Sequence, residues 1–417
     1  MTGHNLKIFL SFFLVIIVDT MGLGLVFPVL SPLVLDKTSV LISPDTTVFT
    51  REMLYAGIIG IFSLFLLIGA PLIGDFSDSI GRKKALLICV SGTAISFFLC
   101  GIGIWQGSLF LLFSGRALNG FTAGSSSIAQ AAIADMSSIE NKAKNLGLIS
   151  LANCFGFVLG PVFGGYFADH PLFYSAGFST PFFIAGCLAL INILFLIIFV
   201  KNSKTQTRRK LHFQLSLGIR IFIDAIRLKS VRRASLLFLC LQLCWAIYFQ
   251  FISIMLVQSY NYSATQVGLF MTYIGLLFTF CLAFLVRILL KFTTIEKILR
   301  ASFFIAGIAL VLCPLMRTEV NQWLIAVPIT LSIGLLYTGG LALFSNAVDK
   351  TQQGWVMGVS AAVAAVAWTV GSIVAGILGK WGVEWPFLGA AFIGFIGFIL
   401  SIREQHHYEQ KQSTIEA

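Results

Sequence analysis

The 417-residue chain is short of charge. Asp, Glu, Lys and Arg together make up 11% of it, against roughly 25% in a soluble globular domain, which excludes that class. Acid is scarcer than base: 17 Asp and Glu face 28 Lys and Arg, a net charge of +11. The loops contain no cysteine. All eight (Cys89, Cys100, Cys154, Cys187, Cys240, Cys244, Cys281, Cys313) fall inside apolar runs, so no disulfide framework is implied. Cys240 and Cys244 are one helical turn apart, but with no His or Cys companion nearby they read as packing residues, and no metal site is expected. The five His all lie outside the apolar runs, and His170 and Asp169 have no nucleophile beside them. There is no Gly-x-x-x-x-Gly-Lys-Ser/Thr loop, so ATP is not expected to drive this chain. Neither a catalytic constellation nor a cofactor is called for, and the chain is not read as an enzyme.

What the chain has in abundance is hydrocarbon: 58% of it is hydrophobic. A membrane core about 30 Å thick takes ~20 apolar residues of helix. Twelve runs meet that length, at 8–34, 53–73, 84–104, 108–134, 144–168, 180–200, 234–258, 265–290, 298–316, 321–345, 354–379 and 384–402. They do not alternate in polarity as barrel strands of ~10 residues do. The first run exceeds the ~7–15-residue core of a signal peptide and is read as an uncleaved first helix. With Lys7 in the cytoplasm, twelve spans return both termini there. The cytoplasmic segments then hold 23 Lys and Arg, and the outer ones hold four, Lys37, Arg51, Arg317 and Lys380. That asymmetry is the positive-inside bias. The basicity therefore reports orientation in a membrane rather than a nucleic-acid partner.

The longest polar stretch, 201–233, carries ten of those basic residues and divides the chain six spans plus six. Its Leu211–Leu228 segment has apolar residues at helical spacing and reads as a linker helix lying on the anionic inner leaflet. The expected organisation is a six-helix bundle over 1–200, the linker over 201–233, a second bundle over 234–402, and a cytoplasmic tail over 403–417. The halves echo one another. Gly147, Gly160 and Gly165 of the fifth run and Gly358, Gly371 and Gly376 of the eleventh are all 211 residues apart. Two parallel repeats with a site near the midplane between them are a transporter architecture.

One short stretch breaks the apolar monotony. "GDFSDSIGRKK", 74–84, has five formal charges in eleven positions between the second and third runs. Gly74 and Gly81 permit a tight turn, Asp78 can accept hydrogen bonds or meet the positive end of a helix, and Arg82, Lys83 and Lys84 hold the turn at the inner surface. Topology alone explains the three basic residues but not the glycines or Asp78.

This stretch resembles the loop 2–3 motif of the major facilitator superfamily, with Gly74, Asp78, Gly81, Arg82 and Lys83 in place and Phe76-Ser77 departing from the usual Leu-Ala. Three further stretches are similar to the twelve-helix drug:proton antiporters of that superfamily. They are "VDTMGLGLVFPVLSP" (18–32), close to the first helix of the bacterial tetracycline exporters, "GRALNGFTAG" (115–124), and "GFVLGPVFGGYF" (156–167) with the G-x-x-x-G-P-x-x-G-G antiporter motif. The resemblance covers the first half densely and the second chiefly by architecture. It implies an all-α membrane protein of twelve transmembrane helices, two six-helix bundles related by a pseudo-two-fold axis. It also implies a cytoplasmic gate at Gly74, Asp78, Gly81 and Arg82, and packing and hinge roles that limit leakage for Gly156, Gly160, Pro161, Gly164 and Gly165.

Asp19 and Arg116 are the two formal charges deep in the runs. A charge at the midplane costs at least ~2.5–3.5 kcal/mol and marks a water-filled cavity or a partner of opposite sign. Two readings stand: Asp19 as a proton carrier with Arg116 as the opposing charge that favours its ionised form, or a permanent ion pair tying spans 1 and 4. The second half has no ionisable group well inside a run. It offers aromatic and amide side chains instead, Gln242, Trp245, Tyr248, Gln250, Tyr273, Tyr337 and Trp368. Taken singly each fits packing or an interfacial belt; as a set they suit an apolar substrate pocket. Tetracycline exporters carry further embedded acidic and His residues, and Ser96 stands here where the third span would hold an acid, which argues against a metal-chelated tetracycline. The expectation is a monomeric proton-coupled antiporter that expels a small lipophilic compound. A proton-coupled importer or exporter of a metabolite (amino acid, nucleoside, siderophore) on the same fold is the alternative, and a membrane enzyme or receptor is the third reading.

Overall fold

The computed structural model describes residues 3–136, 139–172, 177–200, 217–349 and 352–415, and among them the regular structure is helical, with no strand. Eleven helices are long and apolar enough to cross a membrane. These are span 1 (Ile8–Leu35), span 2 (Val48–Ile80), span 3 (Arg82–Trp105), span 5 (Gly147–Asp169), span 6 (Gly177–Phe199), span 7 (Lys229–Tyr260), span 8 (Ala264–Leu289), span 9 (Ile295–Leu315), span 10 (Glu319–Asn346), span 11 (Gln353–Gly379) and span 12 (Trp385–Ile402). The last helix runs on through Ile415, where a tail was expected.

The remaining apolar run, 108–134, is not one helix. It forms Leu109–Thr122 and Ser125–Met136, about 21 and 18 Å long, so the two halves make span 4 together. The cause is local. Gly124 packs under Ile73, whose Cγ2 would lie 2.8 Å from an added Cβ, and three serines follow it. Serine hydroxyls compete for helix carbonyls, and Ser127 Oγ donates to Gly124 O at 2.7 Å. Span 1 also pauses, at Leu25 between helices Gly3–Gly24 and Val26–Leu35, because Pro28 has no N–H to offer the carbonyl four residues back.

The expected turn over 74–84 is a single residue. Span 2 stays helical to Ile80 and span 3 begins at Arg82. Gly81 bridges them at φ +95°, a conformation that favours glycine. Gly74 lies inside the helix with nothing within 4 Å of its would-be Cβ among the described residues, so it serves no turn. Gly81 marks one membrane face, here the turn face. Residues 36–47 and 261–263, one crossing away, mark the far face. Arg51, expected in the outer loop, is buried one turn into span 2, where its guanidinium donates to the carbonyls of Val34, Asp36, Ser43 and Thr46.

The chain forms two compact units, Met1–Ile219 with Ser253–Gly275, and Arg220–Ile252 with Leu276–Ala417. In the first, span 3 packs on spans 4 and 6, span 2 on span 4, and span 1 on spans 5 and 6. In the second, span 9 packs on spans 10 and 12, the scheme of spans 3, 4 and 6 repeated. Residues 253–275 are the last two turns of span 7 and the first half of span 8, and hydrogen bonds hold them in the first unit. Tyr55 and Ser253 hydroxyls meet at 2.8 Å, Gln258 Nε2 donates to Glu52 at 2.8 Å, Thr265 N to Asp169 at 2.8 Å, and Thr272 Oγ1 to Val158 O at 3.1 Å. Of the expected linker helix, Leu217–Arg227 is helical, with Ile219, Ile223 and Arg220 exposed; 201–216 lie outside the described residues.

Candidate functional site

Asp19 is the twelfth residue of the 28-residue span 1, and it is half-buried. Its carboxylate receives the Ser125 hydroxyl and the Ser126 backbone N–H. Those donors are the first residues of the second helix of span 4, so the break at Gly124 puts a helix N-terminus against a carboxylate deep in the membrane. The unsatisfied N–H groups there and the positive end of the helix dipole both favour an anion. Discontinuous helices that aim their ends at charged groups are a device of transporter binding sites. Cys89 on span 3 lies within electrostatic reach of Asp19. Sequence reasoning missed Ser125 and Ser126, although Gly followed by three Ser is a readable helix-start signal.

Arg116 does not pair with Asp19. It is 3% exposed, its Nε donates to Ile58 O at 3.3 Å, and its guanidinium lies 4.7 Å from the Phe62 ring centroid. Nine residues separate Arg116 from Ser125, about 13 Å along the helices. That distance is the physical reason why neither the opposing charge nor the permanent ion pair expected from the sequence is formed. A cation over an aromatic face is held by the ring quadrupole, and Arg116 thereby fastens span 4 to span 2.

Span 1 is positioned by span 5 through a matched ladder. An added Cβ would lie 2.7 Å from Ile17 O at Gly156, 2.5 Å from Met21 O at Gly160, and 2.6 Å from Leu25 O at Gly164. Both series advance by four residues, so the two helices touch backbone to backbone, the close approach that small residues permit. Pro161 fits against Gly24, where a Cβ would lie 2.7 Å from its Cδ. Gly165, on another face, abuts the Ala264 carbonyl, and Gly268 abuts Pro161 O. The motif is therefore wedged between the helix that carries Asp19 and the start of span 8.

At the turn face, Arg82 Nη1 contacts Asp78 Oδ1 at 2.8 Å and donates to Ser77 Oγ at 3.0 Å. Lys83 Nζ donates to Ile197 O at 3.0 Å in the last turn of span 6, where helix carbonyls lack partners. The pair and the lysine tie spans 2, 3 and 6 at one corner.

In the second unit, four of the seven aromatic and amide candidates come together, and a fifth, Tyr248, adjoins them with its ring 6.1 Å from that of Trp245. Trp368 Nε1 donates to Gln242 Oε1 at 3.2 Å. Phe249 bridges Trp245 (4.9 Å) and Trp368 (6.2 Å), and Phe278 bridges Trp245 (6.0 Å) and Tyr337 (5.9 Å). Tyr248 is fully buried with its ring edge-on to Phe387, a packing position, and Gln250 is also fully buried. Tyr273 belongs to the first unit. Phe249 and Phe278 were missed because nothing in sequence separates them from the rest of the chain's 40 Phe. Among the described residues no cluster of His, Cys, Asp or Glu could hold a metal.

The family profile of the Major Facilitator Superfamily matches residues 12–336 and 296–417. The class C tetracycline resistance protein of Escherichia coli is 26% identical over 369 residues, 85% of each chain. The quinolone resistance protein NorA of Staphylococcus aureus (strain MSSA476) is 24% identical over 414 residues, 97% of each. Among solved structures, a bacterial homologue of the human lysosomal transporter Spinster in an inward-facing, occupied conformation has a TM-score of 0.79 at 14% identity, covering 97% of this chain and 98% of its own. The human organic anion transporter MFSD10 (TETRAN) has 0.69 at 21% identity, covering 96% and 100%. These two likenesses speak to the fold alone. A carboxylate and a buried guanidinium inside apolar helices, a one-residue charged turn and a glycine ladder thus sit in a multi-pass membrane chain that belongs to the Major Facilitator Superfamily of transporters.

Proposed function

We propose that the protein is a proton-coupled antiporter that exports a small lipophilic compound across a bacterial inner membrane by alternating access, with both termini in the cytoplasm. The observation that carries this reading is the half-buried Asp19 carboxylate set on the broken start of a helix in mid-span. Donors there stabilise the charged form, while burial from water favours the neutral one, so modest changes in hydration load or unload a proton. Exposed to the outside, Asp19 takes up a proton; exposed to the cytoplasm, it releases it. An inside-negative potential adds about 2.3 kcal/mol per charge per 100 mV. Arg116 holds span 4 in register. The Gly156–Gly165 ladder carries movement of span 1 to span 8, and the Asp78–Arg82 turn serves as the cytoplasmic gate.

The substrate is assigned to the Gln242, Trp245, Tyr337 and Trp368 cluster, where aromatic faces and one amide suit a lipophilic or cationic compound. Names of relatives, resistance proteins for tetracycline and quinolones, support export of a drug-like molecule. A metal-chelated tetracycline is not favoured: Ser96 is buried and accepts from Asn119 Nδ2 at 3.0 Å while donating to Thr93 O, a neutral network.

The test is accumulation of a fluorescent lipophilic cation in cells stripped of other pumps, with and without an uncoupler. Exclusion that depends on the protein and vanishes with the uncoupler is expected, and Asp19→Asn is expected to insert normally yet lose it entirely. Proton-dependent uptake of a nutrient would replace the reading by an importer. Wild-type exclusion by Asp19→Asn would remove Asp19 from the mechanism.

A further inference from the structure

We propose that Glu52 is a second proton-binding site of this transporter, one that exchanges its proton with the medium beyond the far face when the gate there opens, and that its protonation is what permits the far-face gate to close. The proposal rests on the reading above in one respect, that the far face is outside.

Glu52 lies one turn into span 2 and is 2% exposed. Its Oε1 accepts one hydrogen bond, from the neutral amide of Gln258 on span 7, and its Oε2 has no partner. Among the described residues no cation pairs with it. Arg51, the adjacent residue, is committed to four backbone carbonyls at the end of span 1 and in the loop after it. Arg116 on span 4 is further along, engaged with Ile58 and Phe62. The other titratable or charged groups on the elements around it are Asp36, Lys37 and Asp45 in the loop after span 1, Tyr55 on its own helix, Cys100 on span 3, and Tyr260 on span 7. Among the described residues the one side-chain hydrogen bond to Glu52 is that of Gln258, and residues 253–259 of span 7 carry no charge at all.

An ionised carboxylate buried with one neutral donor costs several kcal/mol, and the neutral acid far less. The packed arrangement of span 2 against residues 253–260, with Tyr55–Ser253 beside Glu52–Gln258, therefore belongs with a protonated Glu52. Parting the two helices wets the carboxyl, and its O–H proton passes to external water; closing takes one proton back from the same side. No other bond changes. By linkage, one such proton alters the open-to-closed ratio by up to tenfold per pH unit across the titrating range. The gate then shuts only after the outside has supplied a proton, which imposes an order on the cycle. The proton carried across is still that of Asp19.

The experiment places spin labels at Val48→Cys and Ser259→Cys, both exposed at the ends of spans 2 and 7, in a chain whose native cysteines are replaced. The distance is read by pulsed electron resonance in lipid nanodiscs at pH 5.5 and 8.5. A short distance at pH 5.5 is expected, with a longer population rising at least tenfold relative to it at pH 8.5. Glu52→Gln should hold the short distance at both pH values, Glu52→Asp should restore the response, and Asp19→Asn should leave it intact. The proposal fails if the wild-type distance ignores pH, if Glu52→Gln follows the wild type, or if Asp19→Asn alone abolishes the response. Should the cysteine-free chain not insert, amide hydrogen exchange across 253–260 in the native chain with and without Glu52→Gln reads the same gate, with the same outcomes deciding.

Discussion

Spans 4 and 10 hold corresponding places, each packed on the third helix of its half, yet they are built oppositely. Span 4 is broken at Gly124, buries Arg116 and offers its inner helix start to Asp19. Span 10 runs unbroken for 28 residues despite Pro328, with buried neutral groups such as Gln322 and Thr330 and a half-buried Tyr337. One packing scheme thus tolerates both a charged, interrupted helix and a neutral, continuous one. The difference is what the proposed division of labour rests on: buried charge in the first half, aromatic surface in the second. The glycine pair 160 and 371 makes the same point in packing. An added Cβ would lie 2.5 Å from a backbone oxygen at Gly160 but 3.0 Å from a side-chain methyl, Ala246 Cβ, at Gly371.

The comparison breaks most readily by crossing the two halves. Ser125→Ala removes a hydrogen bond to a charged group, worth about 1.5–3 kcal/mol. It should slow proton-driven export roughly tenfold or more and leave the ranking of substrates unchanged in transport assays. Trp368→Ala should do the reverse, weakening particular substrates about five- to thirtyfold, as expected for loss of ~1–2 kcal/mol of aromatic contact, with proton dependence unaltered. If the two variants show the same phenotype, the division of labour is wrong. Gly160→Ala should cost about 1–3 kcal/mol by overpacking against a backbone that has to move, and Gly371→Ala under ~1 kcal/mol; thermal unfolding in detergent compares them. The smallest effect on stability belongs to Asp78→Asn. It removes a half-exposed ion pair worth under ~1 kcal/mol, so the same melts should barely move while transport falls if the turn is a gate.

Much of this was legible beforehand, and the failures have physical causes. The approximate positions of the spans followed from hydropathy, except where Gly124 and its serines cut a run that composition alone reads as continuous and where span 2 stays helical to Ile80 through the expected turn. Asp19 and Arg116 stood out as charges in hydrocarbon. Their presumed pairing failed because depth in a helix is only coarsely known from sequence, while an ion pair needs its atoms within 4 Å. Glu52 was passed over because it sits at the border of an apolar run, where a carboxylate is ordinarily wetted. The side chain that bonds it, Gln258, comes from some two hundred positions away. Gly74 and Gly81 looked alike in the motif, and only backbone geometry told the turn residue from the helical one.

The order of amino acids by itself determined where the chain crosses a bilayer, since burying ~20 apolar residues in a helix is a local decision dominated by hydrocarbon transfer. It also determined which few groups had to find special surroundings there. Tertiary structure alone decided what those surroundings are: serines for Asp19, an aromatic face for Arg116, one amide for Glu52. Hydrogen bonds and close helix contacts act over a few ångströms, and no local pattern along the chain specifies which distant side chain will arrive within that range.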